Sequence, residues 1–250
     1  KDVEHIAKSF DKFAKLVPQN GAVIAYDANP FVKSVISGLP NAITFGLSES
    51  CDYYASDINF NNDGMPQFHV NHGGKALCQI ELAVPGEHNI LNALAAFACC
   101  HIQGVSVEDI VKTLDGYTGT QRRFDLLGET STGIRIVDDY AHHPTEIKAT
   151  LAAVRNMKHN TLWCLFQPHT YTRTLALFDQ FLQQFYFGRR VQFRAGCGSF
   201  FQKYGGFYGA ERFERRFVLC FHSLFEAVHY FCFETHFDCP LCGLPQSMLN

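Results

Sequence analysis

Gly133-Ile134-Arg135-Ile136-Val137-Asp138-Asp139-Tyr140-Ala141-His142-His143-Pro144-Thr145-Glu146 is the stretch on which the fold turns. An apolar strand over Gly133–Tyr140 runs into a polar cluster, and a helix is predicted over Thr145–Met157 behind Pro144. The same pattern repeats downstream. A strand over Thr161–Phe166 runs into Gln167-Pro168-His169-Thr170-Tyr171-Thr172-Arg173, and a helix is predicted over Thr172–Phe185. Strands alternating with helices at this spacing imply a parallel sheet with right-handed crossovers. In such sheets ligands gather outside the carboxyl ends of strands, where both polar clusters lie. Each cluster also opens a helix, whose N-terminal amides favour phosphate or carboxylate. Asp and Thr serve there as ordinary caps as well. Two neighbouring clusters holding three histidines, an arginine and acids nevertheless point to a site.

Upstream, Asp2–Leu16 reads as an amphipathic helix with Val3, Ile6, Phe10, Phe13 and Leu16 on one face, which predicts that face buried. Short strands are expected at Ala22–Ala25 and Ala42–Phe45, separated by a helix that Asn29-Pro30 starts. Tyr53–Asn59 and Gln67–Asn71 flank the turn signal Asn61-Asn62-Asp63-Gly64, and Lys75–Val84 adds another strand. Helices follow over His88–Ile102 and Ser106–Leu114. Gly116–Gly119 is the linker candidate, which divides the chain into 1–116 and 117–187.

Composition separates a third region, 188–250. It holds 11 of the 24 Phe and 5 of the 10 Cys in 63 positions, has no Ile, and carries +2 against −5 upstream. The Phe213–Phe225 spacing suits a helix stripe, yet Arg215-Arg216 and Cys220 flank it without capping logic. Local and global signals disagree here, as in unselected sequence. Either this is an unusual aromatic-rich domain or an aberrant, frameshifted tail. Cys232-x3-His236-x2-Cys239-x2-Cys242 has zinc-ligand types at compressed spacing. The arginines among aromatics suit single-stranded nucleic acid less well, because five acids interleave.

For the whole chain, 47% hydrophobic and 18% charged residues exclude disorder. A net charge of −3 argues against a surface built to grip nucleic acid or anionic lipid. No apolar run reaches the roughly 18 residues of a membrane span, and Lys1-Asp2-Val3-Glu4-His5 is no signal peptide. A cytoplasmic chain without membrane or nucleic-acid partners is expected. Its cysteines, Cys99-Cys100 included, read as reduced small hydrophobes.

Two further clusters complete the set. Pro85-Gly86-Glu87-His88-Asn89-Ile90-Leu91-Asn92-Ala93 places Asn89 and Asn92 on one face of a helix start, where amides can read a base or ribose or simply cap. Gly119-Thr120-Gln121-Arg122-Arg123-Phe124 offers paired guanidiniums beyond the linker, solvated or aimed at phosphoryl charge. His88-Asn89-x-x-Asn92-Ala93, Gly119-Thr120-x-Arg122-Arg123-Phe124, Asp138 to Glu146 and Phe166 to Thr174 occur in order, and together they resemble the Mur ligase family from Lys1 to about Phe185.

The resemblance implies an α/β fold: part of a central ATPase domain followed by an incomplete Rossmann-like C-terminal domain. It implies an ATP- and Mg²⁺-dependent ligase of peptidoglycan precursor synthesis. The last two motifs single out the joining of L-alanine to UDP-N-acetylmuramate through an acyl phosphate. His88, Asn89 and Asn92 would hold the adenine, and Arg123 and Asp139 would reach ATP. Arg123 and His142 would act in catalysis. Tyr140, His143, His169, Tyr171 and Arg173 would line the amino-acid and muramyl side. No metal ligand is assigned, because the family's phosphate loop, its Mg²⁺-binding Glu and its UDP-binding domain would lie before Lys1. No G-x-x-x-x-G-K-[ST] occurs, and Gly73-Gly74-Lys75-Ala76 is the nearest string. The chain alone is therefore expected to be weak or inactive as a ligase. A non-catalytic nucleotide- or muramyl-peptide-binding module is the alternative.

Overall fold

The computed structural model describes residues 3–166, 171–186, 190–193 and 216–221. The chain divides into two units, Lys1–Thr118 and Gly119–Asn250.

In the first unit, helix α1 (Val3–Ala14) leads to strand β1 (Val23–Tyr26), helix α2 (Pro30–Ile36) and strand β2 (Ala42–Gly46). The Asn-Pro start works as expected: Asn29 Oδ1 accepts the Phe31 amide at 2.9 Å, and Pro30 supplies the first helical residue. Strands β3 (Tyr53–Phe60), β4 (Pro66–His72) and β5 (Lys75–Glu81) complete a sheet in the order β1-β2-β3-β4-β5. The first three strands are parallel and the last two antiparallel. At the β3–β4 turn, Asn61 Oδ1 accepts the amides of Asp63 and Met65, both at 3.0 Å. Gly73 and Gly74, with φ of +57° and +73°, form the tight turn joining β4 to β5. The string nearest to a phosphate loop is thus a hairpin corner.

Helix α3 (Glu87–Ile102) lies across β1 to β4, and α4 (Val107–Asp115) packs on α3 and β5. Ile90, Leu94 and Phe97 of α3 are buried with Tyr53, Phe68, Val70 and Ile80 of the sheet. Each such side chain contributes about 1.5–3 kcal/mol through burial. At the β3 end, Tyr53 stacks on His72 with centroids 4.2 Å apart and hydrogen-bonds His101 Nδ1 at 2.8 Å.

The other end of this sheet is different. Strands β1 and β2 contain one buried residue each, Ala25 and Gly46. Helix α1 also departs from expectation. Val3, Ile6, Phe10, Phe13 and Leu16 are 53%, 51%, 59%, 68% and 78% exposed. The helix packs on α2, and its less exposed positions are Ala7, Asp11 and buried Ala14. Periodicity located the apolar face correctly, but no described element of this unit covers it.

The second unit holds strands β6 (Asp125–Glu129) and β7 (Arg135–Asp139), helix α5 (Pro144–Arg155), strand β8 (Thr161–Phe166), helices α6 (Tyr171–Ala176) and α7 (Phe178–Tyr186), and strands β9 (Arg190–Phe193) and β10 (Arg216–Phe221). The sheet order is β6-β7-β10-β8-β9. Strand β6 runs antiparallel to β7 and the remaining neighbours are parallel. Strand β6 had no sequence signal: a register shift between Leu126 and Gly128, and exposure of Leu126 and Leu127, erase its alternation. The expected Thr172–Phe185 helix is two helices meeting at Leu177.

Two pieces of the 188–250 region are described, and both are strands. The helical spacing of Phe213 to Phe225 gives way to β10, whose backbone pairs with β7 on one side and β8 on the other. The β7–α5–β8 crossover leaves that central place for it. The Cys232–Cys242 motif lies outside the described residues. Among the described residues, Cys51, Cys78, Cys99, Cys100 and Cys164 are free thiols. None of the described helices is long and apolar enough to cross a membrane.

Candidate functional site

The chemistry-bearing residues of the second unit collect where β7 ends and α5 begins, and Asp139 ties them together. It is 6% exposed. Its Oδ1 accepts the Ala141 amide at 2.8 Å, and its Oδ2 accepts the Thr150 hydroxyl at 2.9 Å. Burial pushes the Asp139 carboxyl up, against the pull of Thr150, the Ala141 and Phe124 amides and Arg123. The carboxylate thus links the Phe124 loop, the turn after β7 and helix α5.

Arg122 and Phe124 adopt left-handed backbone conformations, with φ of +59° and +50°. Such angles are uncommon outside glycine and are held only where the surroundings over-determine them. Here the Arg122 amide donates to Asp125 Oδ2 at 3.1 Å, and its carbonyl accepts the Tyr140 amide at 2.8 Å. The Arg122 Nε donates to Asp138 Oδ2 at 3.3 Å, and the guanidinium lies 4.8 Å from the centroid of the Tyr140 ring. Arg122 Nη2 and Asp138 Oδ1 are buried without a hydrogen-bond partner. Burial raises the Asp138 pKa, Arg122 opposes it, and Asp139 and Asp125 add to it.

The N-terminus of α5 was expected to present open amides to an anion. The anion standing there is its own Glu146: Glu146 Oε2 accepts the amides of His142 and His143, the two residues just before the helix, at 3.0 and 3.1 Å. His143 Nδ1 accepts the Thr145 amide at 3.3 Å, so His143 is the cap residue. Burial acts to raise the Glu146 pKa, but the two amides, the His142 ring and Arg123 outweigh it and hold the carboxyl below its ordinary range. Arg123 Nη1 stands 3.9 Å from Glu146 Oε1, with its side chain half exposed. His142 Nδ1 donates to the Tyr140 carbonyl at 3.0 Å, which places the lone pair of the neutral ring on Nε2. The His142 and Tyr140 rings meet edge to face at 5.3 Å.

Arg123, Asp139, Tyr140, His142 and His143 are therefore neighbours in one cluster. Arg173 is half-buried in α6, Tyr171 begins that helix, and His169 lies outside the described residues. In the first unit, His88, Asn89 and Asn92 sit at the start of α3. Asn89 Nδ2 donates to the Pro85 carbonyl at 2.8 Å, and Asn92 Nδ2 donates to Asn89 Oδ1 at 3.1 Å. Exposed Asn92 retains an amide acceptor and a second N–H. Sequence reasoning offered Arg122 only as one of a guanidinium pair, solvated or aimed at phosphoryl charge, and gave no role to Glu146 or Thr150. The spacing of Glu146 from His143 was a readable capping-box signal; the partners of Arg122 and Thr150 come from other elements and were not readable. No group of three or more metal-ligating side chains occurs among the described residues.

Residues 1–100 match the Mur ligase middle domain, and residues 122–191 match the family described as Mur ligase, glutamate ligase domain. The chain belongs to the Mur ligase family. It is 49% identical over 187 residues to a UDP-N-acetylmuramate–L-alanine ligase of Acetivibrio thermocellus, covering 74% of this chain and 40% of that one. A ligase of the same description from Alkaliphilus metalliredigens is 42% identical over 192 residues, covering 76% and 42%. The chain therefore spans about two-fifths of the length of these relatives. Among solved structures, the UDP-N-acetylmuramate–alanine ligase of Thermotoga maritima superposes with a TM-score of 0.68 at 21% identity, covering 94% of this chain and 56% of that one. The MurF ligase of Thermotoga maritima, solved with ADP, gives 0.61 at 13% identity, covering 82% and 50%. These two likenesses show the fold.

Proposed function

We propose that this chain carries the adenine-reading and C-terminal part of an ATP-dependent ligase that joins L-alanine to UDP-N-acetylmuramate in the cytoplasm. The observation that carries the reading is the 49% identity along residues that include the whole Arg122–Glu146 cluster. The residues fit part of a nucleotide. Asn89 and Asn92 together offer the donor and acceptor that an adenine edge requires, and half-exposed Arg123 offers a guanidinium to phosphate oxygens. No cluster among the described residues has the oxygen ligands that Mg²⁺ requires.

When bound, ATP supplies the phosphoryl group that activates a carboxylate. The chain's own part is positioning. Buried Asp139 holds the Phe124 loop and α5 in register, so that Arg123 stands at a fixed place beside the helix start. The Nε2 lone pair of His142 can take a proton from an amine. Tyr140, His143, His169, Tyr171 and Arg173 are proposed to contact the amino acid and the muramyl group.

The test grafts residues 1–186 into the Acetivibrio thermocellus ligase in place of its matching region and follows phosphate release with UDP-N-acetylmuramate and L-alanine. The graft turns over, Arg123→Ala in the graft falls by about 100-fold, and the isolated chain shows no turnover. A folded graft without activity overturns the proposal. A second reading follows from the lack of a phosphate-loop motif: the isolated chain binds nucleotide without turning it over. Saturable ATP binding that Asn92→Ala abolishes would favour it.

A further inference from the structure

Arg123 stands between two residues with left-handed backbones, and each of them is anchored. On one side the Phe124 amide bonds buried Asp139. On the other side Arg122 makes the attachment, at four points. Its amide reaches Asp125 at the start of β6, and its carbonyl takes the Tyr140 amide just past the end of β7. Its Nε reaches Asp138 of β7, and its guanidinium lies over the Tyr140 ring. Asp125 and Asp138 are themselves opposite one another in the β6–β7 ladder. Arg122 therefore ties the loop to the one place where both strands meet.

The two neighbouring guanidiniums do different things. That of Arg123 is half exposed, with Glu146 Oε1 3.9 Å away. That of Arg122 is engaged by the protein itself, with Nε on Asp138 and Nη2 buried. A left-handed backbone at a residue other than glycine costs of order 1–3 kcal/mol and persists only while its surroundings enforce it. The conformation that aims Arg123 outward is thus held by the contacts of Arg122. Those contacts need a planar group, because one side chain donates edge-on to Asp138 and lies flat over Tyr140 at the same time. A lysine ammonium supplies the charge without the plane.

We propose that Arg122, backed by Asp138, is a positioning residue of the ligase reaction and acts through Arg123. It uses Asp138 and the Tyr140 ring as anchors and fixes the loop from which the Arg123 guanidinium reaches out. The inference rests on the ligase reading and gives it a residue that the reading does not use.

Steady-state kinetics on the graft of residues 1–186 tests it. Arg122→Lys lowers kcat by about tenfold and leaves KM for ATP within about twofold, because the loss falls on orientation in the transition state. Added to Arg123→Ala, Arg122→Lys costs less than about a further twofold, since the group it positions is gone. Arg122→Ala with Asp138→Asn recovers part of the thermal midpoint lost by Arg122→Ala but none of the kcat. In the chain itself, Tyr140→Leu moves the Arg122 Nε–H proton resonance by removing the ring current. Full kcat in Arg122→Lys overturns the inference, as does an additive loss in the Arg123→Ala background. So does a kcat that returns together with the midpoint, which is the mark of a merely structural role, or an unmoved Nε–H resonance. Each of these leaves the ligase reading standing, whereas a folded but inactive unsubstituted graft overturns that reading and the inference with it.

Discussion

Asp139 and Glu146 both brace the join between β7 and α5, yet their ionisations oppose. Burial raises Asp139, so its contribution to stability is full below the ordinary Asp range and is lost as pH rises through the raised value. Glu146 is lowered, so its contribution is present above the ordinary Glu range and is lost as pH falls through the lowered value. Urea midpoints measured from about pH 3 to about pH 7 separate them. Asp139→Asn flattens the decline toward neutral pH, leaving only the share of Asp138, which has the same sign. Glu146→Ala removes the decline toward acid and costs about 1 kcal/mol at neutral pH through the lost cap. Arg122→Ala leaves a buried carboxylate without its counter-ion and costs about 1–3 kcal/mol. Adding Asp138→Asn to that variant restores part of the loss, and the double-mutant cycle isolates the pair. Arg122→Lys keeps the charge but not the flat guanidinium over Tyr140, so it restores less.

At the scale of elements, helix starts were the most legible feature. Asn29-Pro30 and Ser106 cap where their chemistry says they should, because capping depends on residues two or three positions away. Asn29→Ala accordingly costs about 1 kcal/mol in thermal or urea unfolding. Strand β6 was illegible, since its bulge and its exposed Leu126 and Leu127 break the period of two on which strand reading rests. The Phe213–Phe225 spacing suited a helix stripe without capping logic and left β10 unread, because its central place between β7 and β8 depends on residues far away in sequence. The span of α5 was legible, and the structure shows which of its residues are buried, Ile147, Leu151 and Val154 among them. Ile147→Ala, at 0% exposure, costs about 2–5 kcal/mol.

At the scale of the molecule the described residues form two cores, one around Tyr53, Phe68 and Phe97 and one around Val137, Ile147 and Phe181. Neither shares a residue with the other. Chymotrypsin cutting after exposed Tyr117 is expected to leave the exchange protection of both cores in place; loss of either core's protection after that single cut would contradict this. By itself the sequence determined the alternation of strands and helices, the caps, the apolar stripe of α1 and the family, because each is written in residues close together along the chain. Only the tertiary structure decided that Asp139 points inward to Thr150, that Glu146 fills its own helix start, that β10 lies inside its sheet and that the α1 stripe faces outward. Those outcomes depend on which distant elements meet, and local periodicity carries no record of that.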